Sequence, residues 1–185
     1  MIDFKKTALI LVDIQKGIVA LDGAPHSTES VVNHANQVIE QFRAHNGFIA
    51  FVHVAFYDGK DKLQPNAMVQ LPDESDPTFS DFPEQLDYRE GDYVVTKRHF
   101  SGFFGTDLDL QLRRRGIDTV VIGGISTHMG VDTTARDAYQ YGYNQYFLTD
   151  MMTAPAEHLH DFSVNYTFPV MGQTMTTQAF LEQLT

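Results

Sequence analysis

The chain contains no cysteine. A thiolate nucleophile, a thioester intermediate, a disulfide and a thiolate metal site are therefore all excluded. Basic residues are also scarce: 13 Lys and Arg stand against 24 Asp and Glu, a formal net charge of -11. A nucleic-acid binder needs a basic face, so this surface is expected to repel phosphate backbones and anionic membranes. Long hydrophobic runs are missing as well. The first apolar run, Ala8 to Val12, is far too short to span a bilayer, and no signal-cleavage pattern follows it. Cytoplasm is the expected compartment, and there is no repeat or low-complexity tract.

What is present is an alternation of short apolar runs with helical patterns. A length of 185 residues accommodates one domain with a real core, so one domain over residues 1–185 is expected. Residues 8–12 form a continuous apolar run of strand length, as for a strand buried on both faces. A helix is expected from Ser27 or Thr28, with Val31, Val32, Ala35, Val38, Ile39 and Phe42 on its apolar face and Gly47 as its stop. Further strands are expected at Phe48–Phe56, Tyr93–Thr96, Thr119–Gly123 and Tyr146–Leu148, with a short one near Gln173–Met175. Helices are expected over Thr106–Arg115, Met129–Tyr141, Ala156–Tyr166 and from Thr177. Residues 57–92, rich in proline and acidic side chains, read as a long excursion holding one short helix, of the kind that serves as a lid or oligomer contact. Strand–helix alternation throughout implies right-handed crossovers. The predicted fold is a three-layer αβα, Rossmann-like domain around a mostly parallel sheet of five or six strands.

Ligands of such sheets bind beyond the carboxyl ends of the strands, where strand order reverses. Three features pass that filter together: Asp13 after the first strand, Lys97 after the third, and Gly123-Gly124-Ile125-Ser126-Thr127-His128-Met129-Gly130 after the fourth. Gln15, two residues past Asp13, is a candidate pocket residue, as is His128. Phe103 and Phe104 read as wall or core. Arg136 and Asp137 read first as a structural ion pair. His53 lies inside an apolar run, and His158 and His160 fall on different faces of a helix, so no metal site is expected.

These residues carry a resemblance. Ala8 to Gln15 resembles the opening strand of the isochorismatase-like hydrolases, often called cysteine hydrolases. Val95 to Lys97, followed by Ser101 to Phe103 and Thr106 to Leu108, is similar to the second motif, and Gly123 to Ala138 to the third. In the amidase members the third motif carries a nucleophilic cysteine, completed by the aspartate and lysine that match Asp13 and Lys97. Here that cysteine position falls on Gly130. His128-Met129-Gly130 looks instead like the true isochorismatases, which cleave a vinyl ether without a nucleophilic side chain. The resemblance thus implies a cofactor-independent hydrolase acting on a small carboxylated molecule. Asp13 would be the acid, Lys97 its electrostatic partner and Gly130 the vacated position, with Gln15, Phe103, Ile125, Ser126, Thr127, His128 and Met129 lining the substrate. It also implies a cis peptide between Ile125 and Ser126 and a homo-oligomer, a dimer or tetramer. Two alternatives stay open: hydrolysis of another small ester, amide or ether by Asp-activated water, or an idle ligand-binding or oligomeric pseudoenzyme.

Overall fold

The computed structural model describes residues 2–62, 66 and 75–184. Its strands are β1 (Thr7–Val12), β2 (Phe48–Val54), β3 (Tyr93–Lys97), β4 (Thr119–Ile125), β5 (Asn144–Thr153) and β6 (Gln173–Met175). They pair in parallel in the order β3-β2-β1-β4-β5-β6. Every residue of β1 is buried, because β2 and β4 flank it and a helical layer covers each face. Its alternate side chains feed two cores. Ala8, Ile10 and Val12 enter one and Leu9 and Leu11 the other, the period-two division that a strand requires.

The helices are α1 (Lys16–Val19), α2 (Thr28–Ala44), α3 (Leu108–Arg114), α4 (Asp132–Gln140), α5 (Glu157–Phe162), α6 (Phe168–Met171) and α7 (Thr177–Leu181). Helix α2 starts as expected, with the Ser27 hydroxyl accepting the Ser30 N–H at 3.1 Å. All six apolar positions of its expected face are buried, on the core that α7 also covers through Phe180. Each such burial contributes about 1.5–3 kcal/mol for a Val, Ile or Phe side chain. The opposite core takes Leu108 and Leu112 of α3, Ala135 and Ala138 of α4, and Phe168 of α6, whose ring stacks on Phe147 at 4.3 Å.

Several expected boundaries are corrected. The left-handed residue ending α2 is Asn46, with φ 53°, and Gly47 only donates its N–H back to Phe42. Strand β2 stops at Val54, two residues before Phe56. Strand β5 runs seven residues beyond the expected core of 146–148 at its two ends together, across the polar Thr149 and Asp150. Those polar groups are matched: Thr149 Oγ1 donates to the Met175 carbonyl, and Asp150 accepts the N–H and hydroxyl of Thr177. The expected helix over 129–141 begins instead with a π-helical turn, Thr127–Val131, and another π turn, Ser163–Thr167, separates α5 from α6.

The short helix expected within 57–92 is not found in the described part of that stretch; residues 63–65 and 67–74 lie outside it. The described portion is strapped to the sheet. The backbone N–H groups of Lys16 and Gly17 donate to Asp81 and Phe79, and Arg43 binds Asp87 and Asp92 at 3.1 and 2.6 Å. No helix among the described residues is long and apolar enough to cross a membrane.

Candidate active site

The strand order reverses at β1, with β2 on one side and β4 on the other, so the carboxyl ends of β1 and β4 form the crevice where such sheets place ligands. The two strands approach so closely there that residue 124 must be glycine. Gly124 has φ +131°, and a Cβ on it would sit 2.0 Å from the Val12 carbonyl oxygen. Just past that contact Asp13 takes φ 53°, a left-handed conformation that aspartate tolerates better than most residues. Its N–H still donates to Val52, which anchors the turn to β2.

This turn brings the carboxylate against Lys97. Asp13 Oδ2 lies 2.8 Å from Lys97 Nζ, with both side chains more than nine-tenths buried. Lys97 Nζ also donates to the His99 carbonyl at 2.9 Å. The other carboxylate oxygen, Oδ1, is buried and has no hydrogen-bond partner among the described residues. Burial pushes the Asp13 carboxyl up from 3.8 to about 6, against the opposing pull of the Lys97 charge and its hydrogen bond. Desolvation therefore wins over the adjacent cation. The proton-bearing form persists up to about pH 6, about two pH units above an ordinary aspartic acid, and is the minor form at neutral pH.

Gly130 completes the cluster from the third side. A Cβ built on it would lie 2.8 Å from Asp13 Oδ2, 3.1 Å from Val12 Cγ1 and 3.6 Å from the Phe100 carbonyl. The missing side chain is thus space in which Asp13 itself rests. Thr134 Oγ1 donates to the Gly130 carbonyl at 2.6 Å and accepts the Gly102 N–H at 2.9 Å, tying the loop after β3 to the π turn. The Ile125–Ser126 peptide is cis, as the resemblance implied.

The remaining candidates fare differently. Gln15 is fully buried and its amide is consumed by backbone: it accepts Val54 N–H and donates to the carbonyls of Val54 and Phe79. It clamps the strap over β2. Phe103 belongs to the core, stacked near Tyr143, and Phe104 beyond it is exposed. The Ile125 side chain packs in the opposite core beneath α2, which leaves only its backbone facing the crevice end of β4. Thr127 is wholly buried, its hydroxyl 2.9 Å from His160 Nδ1. Ser126 Oγ bonds His128 Nδ1 at 2.9 Å, and Met129 is half-buried.

The expected Arg136–Asp137 pair is also corrected. Arg136 pairs with Asp132, because residues four apart share a helix face and adjacent ones do not. His53 is half-buried, bridging the Ser80 carbonyl and Thr96 Oγ1, and serves the strap. His160, whose role the sequence did not reveal, is buried and held neutral, its pKa lowered to about 4 mainly by desolvation. Among the described residues no group of three His, Asp or Glu side chains is arranged to hold a metal ion.

A parallel αβα sheet thus carries a buried Asp–Lys pair and a tight loop at its switch point. The isochorismatase domain model matches residues 7–179, and the chain belongs to the isochorismatase family of hydrolases. It is 47% identical to the isochorismatase family protein YwoC of Bacillus subtilis, over 99% of this chain and 96% of that protein. It is 36% identical to the isochorismatase family protein YecD of Escherichia coli O157:H7, with 97% of each chain covered. Among solved structures, an isochorismatase family protein from Burkholderia thailandensis superposes with a TM-score of 0.91 at 38% identity, covering 96% of both chains.

Proposed function

We propose that the chain hydrolyses a small carboxylated vinyl ether, with Asp13 as general acid, Lys97 as its electrostatic partner and no nucleophilic side chain. The observation that carries this reading is the division of labour within one carboxyl group: Oδ2 is fixed on Lys97 while the buried Oδ1 is unpartnered. A carboxylic acid in that state has a proton to give and a fixed direction in which to give it.

The proposed reaction balances without any cofactor. Asp13 donates its proton to the methylene carbon of the enol ether, and the double-bond electrons form the new C–H bond. The resulting oxocarbenium ion is captured by water, which loses a proton back to the Asp13 carboxylate. The hemiketal so formed breaks its C–O bond as the proton of its hydroxyl passes, through water, to the departing oxygen, releasing pyruvate and the ring alcohol. A substrate carboxylate drawn to Lys97 raises Asp13 further, since it offsets the cation that holds the carboxyl down. Gly130 supports the reading twice: it has no group to acylate, and its missing side chain lets Asp13 occupy the space. The neighbouring hydroxyls are committed elsewhere, Thr127 to His160 and Ser126 to His128.

Incubation of the protein with isochorismate, with pyruvate measured by a coupled reductase, tests this reading. Wild type should release stoichiometric pyruvate and Asp13→Asn should lose at least a hundredfold in rate, the low end of general acid catalysis. An Asp13→Asn variant as active as wild type would sink it.

A further inference from the structure

Among the described residues, a groove of about 500 Å³ lies between the π turn and α5, and neither Asp13, Lys97 nor Gly130 lines it. His128, Arg136, His158 and Thr133, together with Asp132 and Ser163, form its polar lining, and Leu159 and Phe162 its apolar wall. Basic groups are scarce in this chain, so two imidazoles and a guanidinium sharing one groove stand out against a net charge of -11. The acidic residue in the lining, Asp132, is already satisfied: one oxygen takes Arg136 Nε and the other accepts the Ser163 hydroxyl at 2.9 Å.

That arrangement leaves a specific set of donors unspent. Arg136 has its Nε engaged and its side chain 58% exposed, and among the described residues its terminal nitrogens have no hydrogen-bond partner. His158 is exposed and, among the described residues, makes no hydrogen bond, while His128 has only Nδ1 engaged there, by Ser126. His128 is held below its usual pKa, first by burial, and the neighbouring His158 acts in the same direction. Phe162, 60% exposed, offers a ring face beside these donors, in ring contact with Tyr166 at 5.7 Å. A guanidinium and two imidazoles lining one groove beside an apolar wall suit one kind of occupant.

We propose that this groove binds a small organic anion, its carboxylate on Arg136, His158 and His128 Nε2 and its apolar body against Leu159 and Phe162. Because His128 is bonded to Ser126, the residue that follows β4, an occupant touches the loop that carries Gly130. The site stands on its own geometry and does not depend on the role given to Asp13.

Histidine ring resonances of the full chain, assigned through His128→Gln and His158→Gln, would be titrated with benzoate, benzamide and inorganic phosphate at constant ionic strength. Benzoate should shift both His128 and His158 saturably. Benzamide, the neutral isostere, should bind at least tenfold more weakly, and phosphate, which lacks an apolar body, should also bind more weakly than benzoate. Arg136→Gln should weaken benzoate at least tenfold, Arg136→Lys should retain most of the affinity, and Asp13→Asn should leave it unchanged. Equal binding of benzamide, tighter binding of phosphate, unaltered benzoate affinity in Arg136→Gln, or the absence of saturable shifts would each overturn the assignment.

Discussion

Gly130→Ala puts the geometry of the site under direct strain. The added Cβ would start 2.8 Å from Asp13 Oδ2, whereas ordinary contact begins at 3.4 Å, so the carboxylate must retreat by 3.4 minus 2.8, or 0.6 Å. The backbone of Gly130 is outside the left-handed region, and alanine is the better helix former, so the fold itself should tolerate the change. If the retreat lies wholly along the line to Lys97, the 2.8 Å pair opens to 3.4 Å. Coulomb attraction at an effective dielectric of about 20 then falls from roughly 6 to roughly 5 kcal/mol. That loss of about 1 kcal/mol is an upper bound and corresponds to about 0.7 of a pK unit. Lys97 lowers the Asp13 pKa, so weakening it must move that pKa upward from about 6. Carboxyl-carbon NMR of Asp13 reads the shift whether or not the variant is active, and the alkaline limb of kcat/KM should move with it. An Asp13 pKa that stays fixed or falls would refute the claim that Asp13 rests in the space left by residue 130.

Four further outcomes follow from the same structure. Because Asp13 must be protonated to act, wild-type kcat/KM should fall about tenfold per pH unit above its pKa near 6; a rate that rises through that range would contradict the acid role. The same raised pKa links to stability: between 3.8 and about 6 the folded chain holds a proton that the unfolded chain releases. Its contribution is thus full below 3.8 and lost as pH rises to about 6, and urea titrations should show that segment vanish in Asp13→Asn. Gly124→Ala should cost about 3 kcal/mol or more in urea unfolding, since its Cβ would meet the Val12 carbonyl at 2.0 Å; wild-type stability would be the refuting result. His160→Leu leaves the buried Thr127 hydroxyl without its partner and should cost about 1–3 kcal/mol, with the loss largely absent in a Thr127→Val background.

The parts of this molecule that were legible in the sequence are those governed by local periodicity. The apolar face of α2 and the fully buried β1 follow from spacing alone, because burial on one or both faces imposes that spacing. Asp13, Lys97 and the loop after β4 were also legible as a group, since each lies at or just past the end of a parallel strand, and the family resemblance singled out Gly130 within that loop. Their meeting in space was an inference from topology that the structure supplies as distances of 2.8 Å. What was not legible depends on partners remote in sequence. Gln15 looked like a pocket residue because of its place after Asp13, yet its amide is spent on Val54 and Phe79, 39 and 64 residues away. His160 gave no signal, since its partner Thr127 lies 33 residues earlier. The length of β5 was hidden by Thr149 and Asp150, whose polar groups are matched only once β6 and α7 are in place. Arg136 was assigned to the wrong aspartate because adjacency in sequence was read as adjacency on a helix.

The central claim, protonation of a vinyl-ether carbon by a side-chain acid without a covalent enzyme intermediate, is tested most directly by turnover of isochorismate in D2O. Carbon protonation delivers one solvent hydron to the methylene, so the pyruvate released should carry one deuterium in its methyl group. The reaction should be slower than in H2O, and it should be lost in Asp13→Asn. Pyruvate released without deuterium, or undiminished release from Asp13→Asn, would contradict the account.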